Sequence, residues 1–380
     1  MPRGRARKHP DGDVLVLVGT PKGAFIASSD PSRKRWKIDG PHFPGESVYA
    51  MAYDERGGRR RLLAATRSYI WGSLIRWSDD FGRTWSAPDR QNVRFPEKSG
   101  LSLVQVWQIR PGPADEPDLL WAGVEPHALF ESRDGGETWS AIEGLLTHEH
   151  RPKWNPGNGG PCLHTVVADP VNRKRMIVAM SAAGVYRTED GGKSWRARNV
   201  GVRADFQPVK YPEFGQCVHK VVHHPSKPER LFMQNHGGLY RSDDWGDDWK
   251  DIANDMKEVP SDFGFAMQMH PHDANTVYIV PLEQALRSGP EARLRVYRTR
   301  NAGGSWEALE RGLPQKRAYE TVLRDALTAD KHDPAGIYFG TRSGKVFASA
   351  NEGESWKELA ASFPPIVCVK AAVVGRGPSS

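Results

Sequence analysis

One block recurs seven times along this chain, ending at Trp36, Trp85, Trp139, Trp195, Trp249, Trp306 and Trp356. Four copies, at 78–85, 132–139, 188–195 and 242–249, place a hydroxyl residue, an aspartate (Asp80, Asp134, Asp190, Asp244), a glycine and the tryptophan at the same offsets. Two more carry Asn301 and Asn351 at the acidic position, and the first copy, 28–36, has lost its glycine. The tryptophans lie 49 to 57 residues apart. A period of that length belongs to packed sheet units, each too small to bury its own face.

The block has the composition of a turn lock. Asp, Asn, Ser and Thr side chains accept hydrogen bonds from backbone N–H groups a few residues on, glycine takes a positive φ, and the tryptophan anchors the next strand by burying a large ring. The segments between blocks repeat as well. In the unit ending at Trp195, 163–168 is an apolar run, Asp169-Pro170 turns it, 176–180 is a second strand and 184–187 leads into the block. The unit ending at Trp249 repeats this as 218–222, His224-Pro225, 231–234 and 238–241. Short strands punctuated by Pro and Gly predict an all-β fold, and four strands in each of seven units predict a seven-bladed β-propeller over 11–375, with 1–10 and 376–380 as flexible tails. The first unit shows only three strands (14–19, 24–28, 36–38), so the lone apolar run 365–374 is expected to supply its inner strand and close the ring, leaving no open sheet edge.

The blocks resemble the Asp box, S/T-x-D-x-G-x-T/S-W, of the BNR-repeat propellers, which include sialidases, sortilin-type receptors, xyloglucanases and a photosystem II assembly factor. The resemblance covers essentially the whole chain. A more specific similarity is to cytoplasmic bacterial BNR-repeat proteins labelled sialidase-like or glycosyl hydrolase. The family implies that each box sits between the third and fourth strands of its blade, away from the ligand face, so the seven Asp or Asn positions are structural. Sialidases of the superfamily carry an early Phe/Tyr-Arg-Ile-Pro motif; here Val93-Arg94-Phe95-Pro96 is only a distant echo and follows the second box. A classical sialidase is therefore not expected.

Three cysteines in 380 residues make no disulfide framework. No apolar stretch approaches the roughly 20 residues of a membrane span, and the first residues lack the apolar core of a secretory signal. The expectation is a cytoplasmic monomer or weak dimer with no membrane partner. The net charge of +7 raises the question of nucleic acid, but the basic clusters at 59–61 and 173–175 fall in predicted turns with no aromatic-basic stripe, so nucleic acid is not an expected partner.

In a propeller the loops entering each inner strand and the turns between strands two and three share one face, opposite the boxes. Two entry loops, 147–161 and 199–216, are long for mere connections. Behind them the fourth and fifth blades open with Cys162-Leu163-His164 and Cys217-Val218-His219, and strand alternation puts each Cys on the side of its His. Neighbouring turns add Glu125, His127 and His236. Imidazole, thiolate and carboxylate converging in a cleft suit zinc, iron or copper. His164, His219, His127 and His236 are the candidate metal ligands, and His164, His219 and Glu125 the candidate catalytic groups. The alternative is that each histidine bonds a neighbouring blade's backbone and each cysteine packs as a small hydrophobe. Arg67, Trp71, Trp107, Trp154, Asp262, Glu283 and Arg342 are candidate binders of a small polar molecule or peptide. Three functions stay open: a His-based, metal-assisted hydrolase or lyase; a binding or assembly scaffold; and a glycoside hydrolase whose carboxylate pair is not located.

Overall fold

Each repeat becomes one antiparallel meander, because its three apolar runs are separated by tight Pro- and Gly-containing turns that reverse the chain. The computed structural model describes residues 9–87, 91–253 and 258–375; the remainder of the two expected tails lies outside the described residues. Six four-stranded sheets and one three-stranded sheet follow in ring order, a seven-bladed propeller. Blade four comprises Leu163–Ala168, Met176–Met180, Gly184–Thr188 and Arg196–Ala197. Blade five comprises Val218–His224, Lys227–Asn235, Gly238–Ser242 and Lys250–Asp251. The ring closes as the C-terminal run requires: Cys368–Val373 pairs with Val14–Thr20 and becomes the inner strand of blade one. Among the described residues no helix is long and apolar enough to cross a membrane.

The boxes lock the hairpin between strands three and four. In blade three, Ser132 Oγ donates to Asp134 Oδ1 (2.7 Å) and accepts from Gly136 N (2.9 Å), while Asp134 accepts from Thr138 N (3.0 Å). Gly136 sits at φ 101°, a conformation that residues with a Cβ rarely adopt. The same bonds recur around Asp80, Asp190 and Asp244, and Asn301 and Asn351 reproduce them through their amide oxygens. The box tryptophans from Trp139 to Trp356 are buried. They sit between blades: Trp249 packs with Ile177 and Val185 of blade four as well as Val221 and Met233 of its own. The core is thus a ring of interfaces around a central channel, with boxes on one face, here called lower, and the entry loops on the upper one.

The inner strands of blades four and five share a distortion. Strand register shifts between Leu163 and Thr165 and between Val218 and Lys220, a bulge that takes His164 and His219 out of simple alternation.

Candidate functional site

On the upper face the channel widens into a cavity of about 880 Å³. Its wall is built from the inner-strand heads Cys217, His219 and Phe265, the turns carrying His236, Arg287 and Arg342, and the entry to blade seven at Leu323 and Arg324. The loop ahead of blade four closes one side with Asn155, Gly157, Asn158 and Gly159.

Cys217, His219 and His236 present ligand atoms that all lie within 4.8 Å of one another. His219 has its Nδ1 at 2.6 Å from the Gly264 carbonyl oxygen. A carbonyl only accepts, so Nδ1 carries the proton and the Nε2 lone pair faces Cys217 Sγ at 3.6 Å. Burial, helped by Arg324, pushes the His219 pKa down to about 3, so the ring is neutral at physiological pH. His236 is also shifted down, by burial and then Arg287, and its Nε2 lies 3.0 Å from the Gln284 amide. Burial raises the Cys217 thiol, against the pull of Arg324 and Arg287. Two neutral imidazoles and a thiol at this spacing are a soft donor set.

The other half of the cavity is cationic. Arg287 lies over the Phe263 ring, 4.4 Å from its centroid, and Arg324 over Trp107 at 5.4 Å while donating to Cys162 Sγ at 3.3 Å. Arg342 is exposed to the cavity. None of the three pairs with a carboxylate among the described residues, and no lining residue is acidic. Arg287 is held at φ 57°, in the left-handed region that costs a side-chain-bearing residue energy, by its N–H bond to Glu283 O and by the Thr321 hydroxyl on its own carbonyl. Strain of this kind gathers where a side chain must be aimed.

The sequence candidates divide. His219 and His236 come together, and Arg342 joins them across the cavity. His164 does not: it is fully buried, its Nε2 donating to Val218 O (3.0 Å) and its Nδ1 accepting from Thr165 Oγ1 (3.0 Å). His127 is likewise spent on Ser181 O at 3.0 Å. Glu125 accepts from Trp107 Nε1 at 2.9 Å, so this pair backs Arg324 rather than lining the cavity. Trp154 is core, bonded to the Tyr186 hydroxyl at 2.8 Å. Asp262 is held by Arg203 at 2.8 Å, and Arg67, Trp71 and Glu283 are exposed and outside the lining. Sequence reasoning passed over Arg287, which nothing local marks; Arg324, a weaker candidate of this face in the sequence, lines the cavity from the entry to blade seven.

Residues 130–141, the third box and its flanks, match the family model of the BNR/Asp-box repeat. The chain is a BNR/Asp-box repeat propeller. An oligoxyloglucan-reducing end-specific xyloglucanase of Emericella nidulans is 31% identical over 25% of this propeller and 10% of its own length. The photosystem II assembly lipoprotein Ycf48 of a Synechococcus strain is 28% identical over 35% of this propeller and 33% of its own length. The matches therefore span a third or less of these relatives. Among solved structures, the GH74 enzyme of Niastella koreensis superposes with a TM-score of 0.55 at 16% identity, covering 96% of this propeller and 53% of that chain, a likeness of fold.

Proposed function

We propose that the upper cavity is the site of a hydrolase or lyase acting on a small anionic molecule, with zinc, iron or copper held by Cys217, His219 and His236. The observation that carries this is the 3.6 Å between Cys217 Sγ and His219 Nε2. Tetrahedral zinc with a thiolate at about 2.3 Å and an imidazole at about 2.0–2.1 Å sets its two donors about 3.6 Å apart. The Gly264 carbonyl does what the partners of metal-binding histidines do, fixing the tautomer and the ring plane. Three protein donors would leave a fourth position for water or substrate. When bound, the metal would supply a Lewis acid and a water of lowered pKa. The chain's own part is to seat the substrate: the guanidiniums of Arg287, Arg324 and Arg342 match a carboxylate or phosphate in the planar, two-pronged way that lysine cannot. Phe265 walls the cavity with an apolar face. A thiol ligand suits the reducing cytoplasm we also propose for it.

A glycosidase of the two-carboxylate kind needs an acid pair flanking the scissile bond, and the described lining of this cavity offers no acid. The scaffold reading has one observation in its favour: Tyr69, Ile70, Trp71, Phe206, Leu286 and Tyr319 are exposed on the loops of the same face. Exposed apolar groups around a polar cavity suit a peptide as well as a small molecule.

Elemental analysis of the purified protein beside a His219→Ala/His236→Ala double variant tests the metal. Near-stoichiometric zinc, iron or copper is expected in the native protein and none in the variant, once circular dichroism has shown it folded. Native protein that takes up none of the three after reconstitution sinks the metal reading and shifts the weight to a scaffold.

A further inference from the structure

The channel opens on the lower face into a second cavity, of about 670 Å³, that shares no lining residue with the upper one. Its wall carries four cations, Arg110, Lys220, Lys331 and Lys370, beside four histidines, His223, His224, His270 and His272; Lys331 pairs with Glu55 at 3.9 Å. The one carboxylate in the lining, Asp169, is buried and already committed, accepting from Val171 N at 2.8 Å and pairing with Arg175 at 3.3 Å. Arg110, on the inner strand of blade three, pairs through its backbone with the strand of Trp121, and its exposed side chain makes no hydrogen bond or ion pair among the described residues. Lys220, on the inner strand of blade five, is only 8% exposed, and its ammonium reaches a single acceptor, Asp325 Oδ1 at 2.7 Å. Lys370, on the inner strand of blade one, shares that same oxygen at 3.1 Å.

The charges do not balance. Two ammoniums divide one carboxylate and a guanidinium has none, leaving two positive charges in excess where three inner strands converge on the channel. The excess on Lys220, which is buried, and Lys370, which is half-buried, is costly unless something compensates it, while the exposed Arg110 is free to meet a ligand. A phosphate group carries about −1.5 to −2 at neutral pH and offers three acceptor oxygens. That matches the excess in size, and the lysine N–H bonds left unfilled match the oxygens. We propose that the lower mouth is a binding site for a small phosphate-bearing molecule, with Arg110 supplying the two-pronged contact and Lys220 and Lys370 the point charges.

Isothermal titration with inorganic phosphate and pyrophosphate at low ionic strength tests this. The titrated protein is a chelated Arg287→Gln/Arg324→Gln variant, so that neither a metal nor the upper arginines take the anion. Saturable binding that weakens as salt is raised is expected, with Arg110→Gln lowering the affinity at least about tenfold. The Arg110 side chain has no protein partner to lose, so this variant keeps the fold; Lys370→Gln, which leaves the Lys220–Asp325 pair intact, should weaken binding too. Absence of binding in the starting variant, or binding that neither substitution weakens, overturns the proposal.

Discussion

His164 and His219 stand at the same point of adjacent blades, and each donates to a carbonyl of the next blade, Val218 O and Gly264 O. They use different nitrogens. His164 donates through Nε2 because Thr165, the next residue, offers a hydroxyl to Nδ1; in blade five the next residue is Lys220, which turns to Asp325, and the His219 Nε2 is left for the cavity. One position thus gives an inter-blade clamp in one blade and a ligand candidate in the next. His164→Ala should cost about 1–3 kcal/mol, mostly from leaving a buried carbonyl without its donor, read as a lower urea midpoint, with the metal content of the folded variant unchanged. Metal lost from a folded His164→Ala protein would contradict the separation of the two roles.

At the scale of the blade, the box is the unit of stability. In Asp190 the carboxylate accepts from Ser194 Oγ and N and from Thr188 Oγ1, and the Ser194 hydroxyl leads in drawing its pKa down to about 2. Asp190→Ala removes these bonds on a partly exposed turn and should cost about 1–2 kcal/mol. Asp190→Asn should cost much less, because Asn301 and Asn351 already close their turns this way. Denaturant midpoints for the two variants decide it; equal losses would mean that the charge, not the acceptor, holds the turn. The same locality explains how much of the protein was legible. Boxes, strands and the closing run were readable because turn chemistry and hydrophobic period act within a few residues. Of the two Cys-x-His pairs, the fold puts Cys217 and His219 on the cavity wall and leaves Cys162 and His164 behind it, since the placement depends on the neighbour just past the bulge. Arg287 could not be found, because only the packing of blade six against blade five brings its turn to the Cys217 side of the channel.

For the molecule as a whole, the ring buries several histidines in neutral form, and this sets how it responds to acid. Burial, with Arg151 adding to it, pushes His127 down to about 4; burial and Arg110 push His223 down to about 3; His164 is held well below its ordinary value, by burial first and then Arg324. In the unfolded chain each returns to about 6.5. Between these values the unfolded state binds more protons than the native one, so stability rises with pH across the window and is lost as pH falls below about 6.5. Each such histidine contributes a slope of up to about 1.4 kcal/mol per pH unit. In chelated protein the urea midpoint is expected to fall steadily from pH 6.5 to 4, as the summed proton uptake of these rings favours the open chain. His127→Gln isolates one of them: the amide can still donate to Ser181 O, as the ring does now, but does not titrate. Its midpoint should fall less steeply than that of the native protein over the same range. Identical slopes would mean that His127 is charged in the folded ring, which its place between Ser181 and Trp154 does not accommodate.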